Sequence, residues 1–517
     1  MLNGWRPYFW IITAGTLLYS AVAFFGFTYL DDNFLILKNQ ELLSSLTNIP
    51  KAFQQDLFHM IHEKAVLYRP VLVSTFIVDA QLTGHSATAY HLTNILIHLA
   101  ASCSLFLLLA TMRWSKGVCL IFSLIFCVHP ALTSAVAWIP GRNDSLMSLF
   151  TILSFTFFLR YLRNRGAASL ILHIGLLALS LLSKEPALML IPLCVLYILL
   201  REAEPLELNG KLILGASWLV VISGWFVLRA LALSHNPVFP DASLFLRYMM
   251  NGAPAILIYL GKVLFPFNLS VVPNIKDSGI LYGIAALLAI AVAIFFTKER
   301  KYRRLLFGAA WFLAFLIPTF LQSRPEKTPL FLECRLYLPI IGIFIILLDT
   351  DFIKKLQGSK RGAMITAACT IIAFSILTWQ YTSVFRDRHS FWDAAVKQSP
   401  NSPLAHVNLG VILLQDEQYD KAEEELRHAL RLNPKQRSAH LNLGIIYNAR
   451  KQYHQAIEEF LQEIEIRPDY DASYMHLAYT YYVQKDIKKA MEYWQSALKC
   501  NPNNSKAREF IEAFGNK

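Results

Sequence analysis

Residues 88–112, TAYHLTNILIHLAASCSLFLLLATM, run without a single Asp, Glu, Lys or Arg. A bilayer's hydrocarbon core is roughly 30 Å thick and is spanned by about 20 apolar residues in a helix, so this run is long enough to cross one. It is one of a series, with further apolar runs at about 8–29, 117–136, 145–160, 168–183, 186–200, 211–231, 280–297, 304–321, 335–349 and 362–384. A segment at 249–267 is ambiguous. The chain as a whole agrees, with 517 residues that are 55% hydrophobic and only 16% charged, at a mean hydropathy of +0.40. Soluble globular chains carry about a quarter charged residues. An ordinary soluble protein is therefore excluded, and a multi-pass membrane protein is expected.

The charge is lopsided, with 48 Lys and Arg against 36 Asp and Glu for a net +12. In a soluble protein that balance suggests a nucleic-acid partner. Here the tail from Arg386 onward holds 18 basic and 18 acidic residues, so the excess lies among the apolar runs. Short loops rich in Lys and Arg stay in the cytoplasm. Arg6, Arg113 with Lys116, Arg160 with Arg163 and Arg165, the group Lys298 to Arg304, and Lys354, Lys355, Lys360 and Arg361 mark those loops. If 249–267 crossed, the basic loop at 298–304 would fall outside. That segment, with Pro254, Gly261, Lys262 and Pro266, is therefore expected to be re-entrant or interfacial. About eleven crossings remain. The N-terminus is then cytoplasmic and the C-terminal region periplasmic or luminal. The charge excess records topology, and no nucleic-acid partner is expected. The 7 Cys show no CxxC or metal-ligand spacing and read as small apolar residues. The run from Tyr8 to Leu30 is too long for a cleaved signal and reads as the first transmembrane helix.

After about Phe385 the chain turns polar and repetitive. Pro400, Pro434, Pro468 and Pro502 recur every 34 residues, the period of tetratricopeptide (TPR) helix pairs. Leu409-Gly410, Leu443-Gly444 and Leu477-Ala478 recur on the first helix, and Ala422, Ala456 and Ala490 on the second. Tyr447 and Tyr481 fill the aromatic position, Phe460 and Trp494 the bulky one. Three repeats, 403–436, 437–470 and 471–504, are followed by a capping helix, as a solenoid requires. The expected organisation is all-α: a membrane region over 1–385, a half-repeat linker over 386–402 with Phe391, Trp392 and Ala395, and a TPR region over 403–517.

Charged residues among apolar runs are costly, and each is a candidate functional site. They gather in six groups: Asp31-Asp32 after the first run, Tyr68-Arg69-Pro70, His129-Pro130, Gly141-Arg142-Asn143-Asp144, Lys184-Glu185-Pro186 and Glu333-Cys334-Arg335. With the topology above, all six lie at the outer side. Singly, such groups are often interfacial anchors or local ion pairs, here Arg142 with Asp144, Lys184 with Glu185 and Glu333 with Arg335. Asp31 and Asp32 resist that reading, because adjacent carboxylates repel and no cation follows until Lys38. A carboxylate can take the proton of an acceptor hydroxyl. Arg and Lys can stabilise a leaving phosphate. A site among apolar helices can admit a lipid-tailed donor. Glycosyl transfer from a polyprenyl-phosphate sugar to a hydroxyl uses all three, although a transporter or lipid-modifying enzyme could use similar groups.

At these residues the chain resembles the transmembrane and TPR repeat-containing O-mannosyltransferases, within the GT-C glycosyltransferases, and their prokaryotic relatives. The resemblance rests on Asp31-Asp32, on Tyr68-Arg69-Pro70-Val71, on the run HPALTSAVAWIPGRND at 129–144, on Ser183-Lys184-Glu185 and on ECRLYLP at 333–339, followed by TPR units. It implies a GT-C membrane core, a dolichyl- or polyprenyl-phosphate sugar donor, an acidic residue after the first helix near the catalytic centre, and a luminal or periplasmic TPR region. The chain departs from the pattern at Tyr68, where Trp is expected, and at Ser134, where relatives often carry Glu. Its short array points to a bacterial inner-membrane relative, or to the ER membrane if the source is eukaryotic.

Asp31 and Asp32 are thus the expected catalytic pair, as base or as holders of a divalent cation; no other cofactor is expected. Arg69, His129, Arg142, Asp144, Lys184, Glu185, Glu333 and Arg335 are the expected donor-phosphate contacts. Asn408 and Asn442, with His476 in the equivalent place, occupy successive first helices of the repeats and are expected to hold an acceptor peptide, much as an asparagine ladder does in the nucleocytoplasmic O-GlcNAc transferase. The expected partners are a lipid-linked sugar, a protein acceptor and membrane lipids. The competing reading is a membrane-anchored TPR scaffold for envelope assembly without catalysis; a flippase fits less well, because the charges collect at one face.

Overall fold

A computed structural model describes residues 4–58, 67–84, 86–201, 206–233, 242–322, 331–358 and 360–514. Its regular elements are all helical. They form two compact units, Met1–Phe391 and Trp392–Lys517.

In the first unit six described helices are long and apolar enough to cross a membrane: Arg6–Phe24, Thr88–Thr111, Ile139–Asn164, Leu208–Ala232, Tyr302–Phe320 and Met364–Phe385. A seventh span is obtained if Lys116–Cys127 and Pro130–Ala137, bent by 55°, are taken as one. The bend falls at Pro130, whose ring removes a donor and cannot continue the preceding turn. The remaining expected crossings form shorter apolar helices. Those at 168–183, 186–200 and 280–297 appear as Ala167–Ser183, Glu185–Leu200 and Ile280–Phe295, and 335–349 contains Ile340–Leu348. The ambiguous 249–267 segment contains the short apolar helix Gly252–Leu264.

One element escaped the pattern reading. Between the first span and Thr88–Thr111, Pro70–Thr83 is a helix of 14 residues started by Pro70 and stopped at Gly84, which has a φ of +59°. Leu72, Val73, Phe76 and Ile77 bury one side of it against Leu35, Ile36, Leu42, Leu43 and Leu57 of the short turns after the first span. That cluster gives the Asp31-Asp32 segment a packed base.

The second unit is a stack of helix pairs: Pro403–Gln415 with Tyr419–Leu432, Ala439–Ala449 with Tyr453–Ile466, and Asp471–Val483 with Ile487–Cys500, closed by Ser505–Phe514. Ala422, Ala456, Ala490 and Phe460 are 0% exposed, and Trp494 1%. The small positions are steric. A Cβ on Gly444 would lie 2.5 Å from the Phe460 ring, so only glycine lets the two helices of that pair meet. The turns repeat a further device. The side chains of His406, Tyr474 and Arg508 each donate to the carbonyl of the proline six residues earlier, at 2.9, 3.0 and 2.8 Å, and His440 does the same to Pro434. Each first helix is thereby tied to the turn that precedes it.

Candidate functional site

Asp31 and Asp32 sit where the chain leaves the first span. Asp32 is buried and accepts from the Thr28 backbone N–H at 2.6 Å and from the Thr28 hydroxyl at 3.2 Å. The Asp31 carbonyl accepts from Phe34 and Leu35, opening the wide turn Asn33–Leu37. Burial raises the Asp32 carboxyl to about 6; the two Thr28 donors work against the shift and the Asp31 charge adds to it. A carboxylate held near 6 is ionised at neutral pH yet basic enough to take a proton.

Most of the other charges are joined, but not to the neighbours their sequence spacing suggests. Arg69 binds Glu185 through Nε at 3.2 Å and Nη2 at 3.0 Å, while the Tyr68 N–H reaches the other Glu185 oxygen at 3.3 Å. Lys184 bonds Asp144 at 2.6 Å and Asn143 at 2.9 Å. Cys334 lies beside that pair and within range of Arg335. Glu333 accepts from Lys262 at 2.7 Å, the Ser270 N–H at 2.7 Å and the Tyr381 hydroxyl at 3.0 Å. Arg335 donates to the Thr319 carbonyl at 3.2 Å. Arg69, Asp144, Lys184, Glu185, Glu333 and Arg335 thus belong to one polar region drawn from four segments. None of the three local pairs suggested by spacing forms, because the helices bring distant partners closer than residues one or two apart in the chain.

Arg142 stands apart. Its guanidinium is 0% exposed and is held by Asp79 at 2.6 Å, Asn94 at 2.6 Å, Thr75 at 2.9 Å and the Tyr90 carbonyl at 2.7 Å, over the Phe76 ring. Asn94 also donates to the carbonyls of Val136, Trp138 and Ile139, fixing the bent 129–144 run. His129 is enclosed too, bonded to the Val263 carbonyl at 3.0 Å and accepting from the Ala131 N–H at 3.2 Å. A Cβ on Gly141 would meet the Ser134 carbonyl at 2.3 Å, so that tight return requires glycine. Asp79, Asn94, Lys262 and Tyr381 were missed as site residues. Asp79 did carry a signal, being the one charged side chain in the apolar stretch 70–83.

Among the described residues no three His, Cys, Asp or Glu side chains gather as a metal site. Asp31 and Asp32 offer two adjacent carboxylates, and Asp32 accepts from Thr28. A groove of about 410 Å3 lined by Pro50, Phe53, Gln54, Leu228 and Leu231 opens beside the short helix Ile49–Ala52. The Tyr68 hydroxyl donates to the Phe53 carbonyl at 3.1 Å, which links that apolar groove to the Arg69–Glu185 pair.

In the second unit Asn408 and Asn442 each donate to the carbonyl four residues back, at 2.8 and 2.6 Å, and His476 stacks on Phe460. The helices that carry them are nearly free of charge. Pro403–Gln415 and Ala439–Ala449 contain no Asp, Glu, Lys or Arg, and Asp471–Val483 has only Asp471, held by Asn501 and Asn504.

Tetratricopeptide repeat families match residues 388–428, 413–471 and 472–504. The chain is similar to a protein O-mannosyl-transferase of Caenorhabditis elegans, 24% identical over 383 residues, covering 71% of this chain and 54% of that protein. It is 32% identical over 196 residues to a protein O-mannosyl-transferase of Homo sapiens, covering 36% of this chain and 21% of that protein. The chain therefore spans about half the length of the worm relative and less of the human one. Among solved structures it aligns with ArnT from Cupriavidus metallidurans bound to undecaprenyl phosphate, at 14% identity over 91% of this chain and 81% of that chain, with a TM-score of 0.42. The homologues are protein O-mannosyl-transferases, as the sequence resemblance implies.

Proposed function

We propose that the chain is a GT-C-type membrane glycosyltransferase that moves a hexose, mannose first among the candidates, from a polyprenyl-phosphate donor to Ser or Thr hydroxyls of proteins on the periplasmic or luminal side. The observation that carries this reading is the buried, basic Asp32 at the exit of the first span, in a chain whose homologues are protein O-mannosyl-transferases. One of Asp31 and Asp32 takes the hydroxyl proton. The hydroxyl oxygen bonds to the anomeric carbon as the bond from that carbon to the phosphate oxygen breaks, and the polyprenyl phosphate departs as the anion. Attack opposite the leaving group inverts the anomeric centre.

Among the cations, Arg69, Lys184 and Arg335 are assigned to the phosphate. Arg142 and His129 are assigned to positioning, since their polar atoms are taken up by the protein. Glu333, Asp144 and Glu185 keep the lysines and arginine charged and aimed. The groove by Phe53 suits the lipid tail, being apolar and joined to Arg69 through Tyr68. The repeats take the acceptor. An Asn amide has two donors and a carbonyl, and the bond to its own helix uses one donor, so Asn408 and Asn442 keep the capacity to grip a peptide backbone. The uncharged first helices favour an acceptor held by backbone and apolar contacts.

The test is mass spectrometry of proteins from cells with and without the chain. Hexose lost from Ser or Thr supports the reading. An unchanged glycoproteome, together with partner binding that survives the Asp31→Asn, Asp32→Asn double variant, favours the scaffold. One observation speaks for that second reading: three of the candidate cations, Arg69, Arg142 and Lys184, are already in ion pairs.

A further inference from the structure

The turn that carries Asp31 and Asp32 contains a conformation that needs support. Tyr29 has a φ of +63°. For a bulky side chain that left-handed geometry is unfavourable, and it persists only where surrounding contacts over-determine it. No glycine or asparagine occupies the position, so the conformation is not there for ease of turning.

The Arg388 guanidinium lies over the Tyr29 ring, 5.3 Å from its centroid. Two residues before it, the Arg386 carbonyl accepts from the Gly26 N–H at 2.8 Å. On the other side of the turn the Gly26 carbonyl faces the His91 ring nitrogen at 3.4 Å, and Phe25 packs edge-on against the same imidazole. Thr28, between Gly26 and Tyr29, is the residue that binds Asp32 through both its N–H and its hydroxyl. Residues 386–388 therefore clamp the turn at two points, one on each side of Thr28. They follow the last span, Met364–Phe385, and are more than 350 positions away from the turn in sequence.

We propose that Arg388 is a positioning residue for the transfer reaction: by stacking on Tyr29 it holds the left-handed turn that presents Asp31 and Asp32. The inference rests on the proposed role of that carboxylate pair. Arg388 acts on the carboxylates through the turn, by its cation over the Tyr29 ring and the neighbouring backbone hydrogen bond from Gly26 to Arg386.

The test uses the full-length protein in lipid vesicles, with a polyprenyl-phosphate mannose and a Ser/Thr peptide. Arg388→Ala and Tyr29→Ala are each expected to lower kcat about tenfold, with KM for donor and acceptor unchanged. Arg388→Lys and Tyr29→Phe, which keep a cation and a ring, are expected to recover most of the rate. The Arg388→Ala, Tyr29→Ala double variant is expected to be no slower than either single one, and hydrogen exchange at the Thr28 amide should rise in all three. Unchanged kcat and unchanged Thr28 exchange in Arg388→Ala, with Asp31→Asn, Asp32→Asn still inactive, overturn this inference and leave the proposed function standing. A double Asn variant that keeps full activity overturns the proposed function itself. If an alanine variant does not reach the membrane, the lysine and phenylalanine variants decide. Together with the exchange measurement they must retain both rate and Thr28 protection, and loss of either in a well-expressed Arg388→Lys overturns the inference.

Discussion

Asp32 and Glu423 are both carboxylates with little exposure, and they are pushed in opposite directions. Asp32, in the first unit, has hydrogen bonds from Thr28 and a second carboxylate beside it, and burial carries it up to about 6. Glu423, in the second unit, also feels burial pushing up, but it accepts from Arg450 at 2.5 Å, Arg427 at 2.8 Å and Tyr447 at 2.9 Å, and it ends near 2. Desolvation is common to both. The difference is the number of charged donors, and it separates a group kept reactive from one used to join neighbouring helix pairs.

The largest effect expected from breaking this contrast is on transfer. Asp31→Asn, Asp32→Asn should lower turnover by about a thousandfold, the range of a lost general base. Glu423→Gln, assayed in parallel, should leave turnover within twofold. Equal losses in the two variants would mean that the carboxylates do not differ in role.

Next comes the buried pair of the first unit. Arg142→Met alone strands Asp79 and should destabilise the protein by about 3–5 kcal/mol. Adding Asp79→Leu should recover most of that loss, seen as thermal unfolding in detergent. A single variant as stable as the parent would show that the pair is hydrated.

The third is a pH profile. A base must be ionised to act, so transfer should rise about tenfold per pH unit below 6 and level off above it, following Asp32. A profile flat from pH 5 to pH 8, values chosen to bracket that carboxyl, would remove Asp32 from the rate-limiting proton transfer. For stability the sign is reversed. The folded state holds the proton more tightly, so this carboxyl weakens the fold as pH rises from its unfolded value near 4 to about 6.

The smallest effect lies in the repeats. His406 and His440 use one ring nitrogen for Glu425 or Glu459, each at 2.6 Å, and the other for a proline carbonyl. Burial opposes the charge, but those acceptors win and raise both imidazoles above their ordinary value. The stabilisation is complete below the unfolded value of about 6.5 and is lost as pH rises through the higher folded one. Hydrogen exchange in the full chain should therefore show the repeats opening more easily at alkaline pH, by about 1 kcal/mol. His406→Gln with His440→Gln should flatten that dependence.

The repeats were legible because their contacts are local. The proline period, the Leu-Gly and Ala positions and the bulky Phe460 and Trp494 each report on a neighbour within one 34-residue unit, so one-dimensional spacing captures the packing. The membrane region was legible as apolar runs and as a set of costly charges, since hydrocarbon filters composition. Its pairings were not. Arg142 meets Asp79, Arg69 meets Glu185 and Lys262 meets Glu333, and nothing in the spacing of those residues announces it. The same holds for helix Pro70–Thr83, hidden because its apolar stretch is short and interrupted by Asp79.

By itself, then, the sequence determined an apolar helical core, a TPR tail, and the position of Asp31-Asp32 at the end of the first span. Both kinds of signal survive in one dimension because burial in lipid and a fixed repeat act on each short segment separately. Only the tertiary structure decided which cation each carboxylate meets, that Asp32 is held by Thr28, and that Tyr29 is clamped by Arg388 from the far end of the unit. Those contacts join segments tens to hundreds of residues apart, and their energies depend on distance and burial, which exist only once the helices are packed.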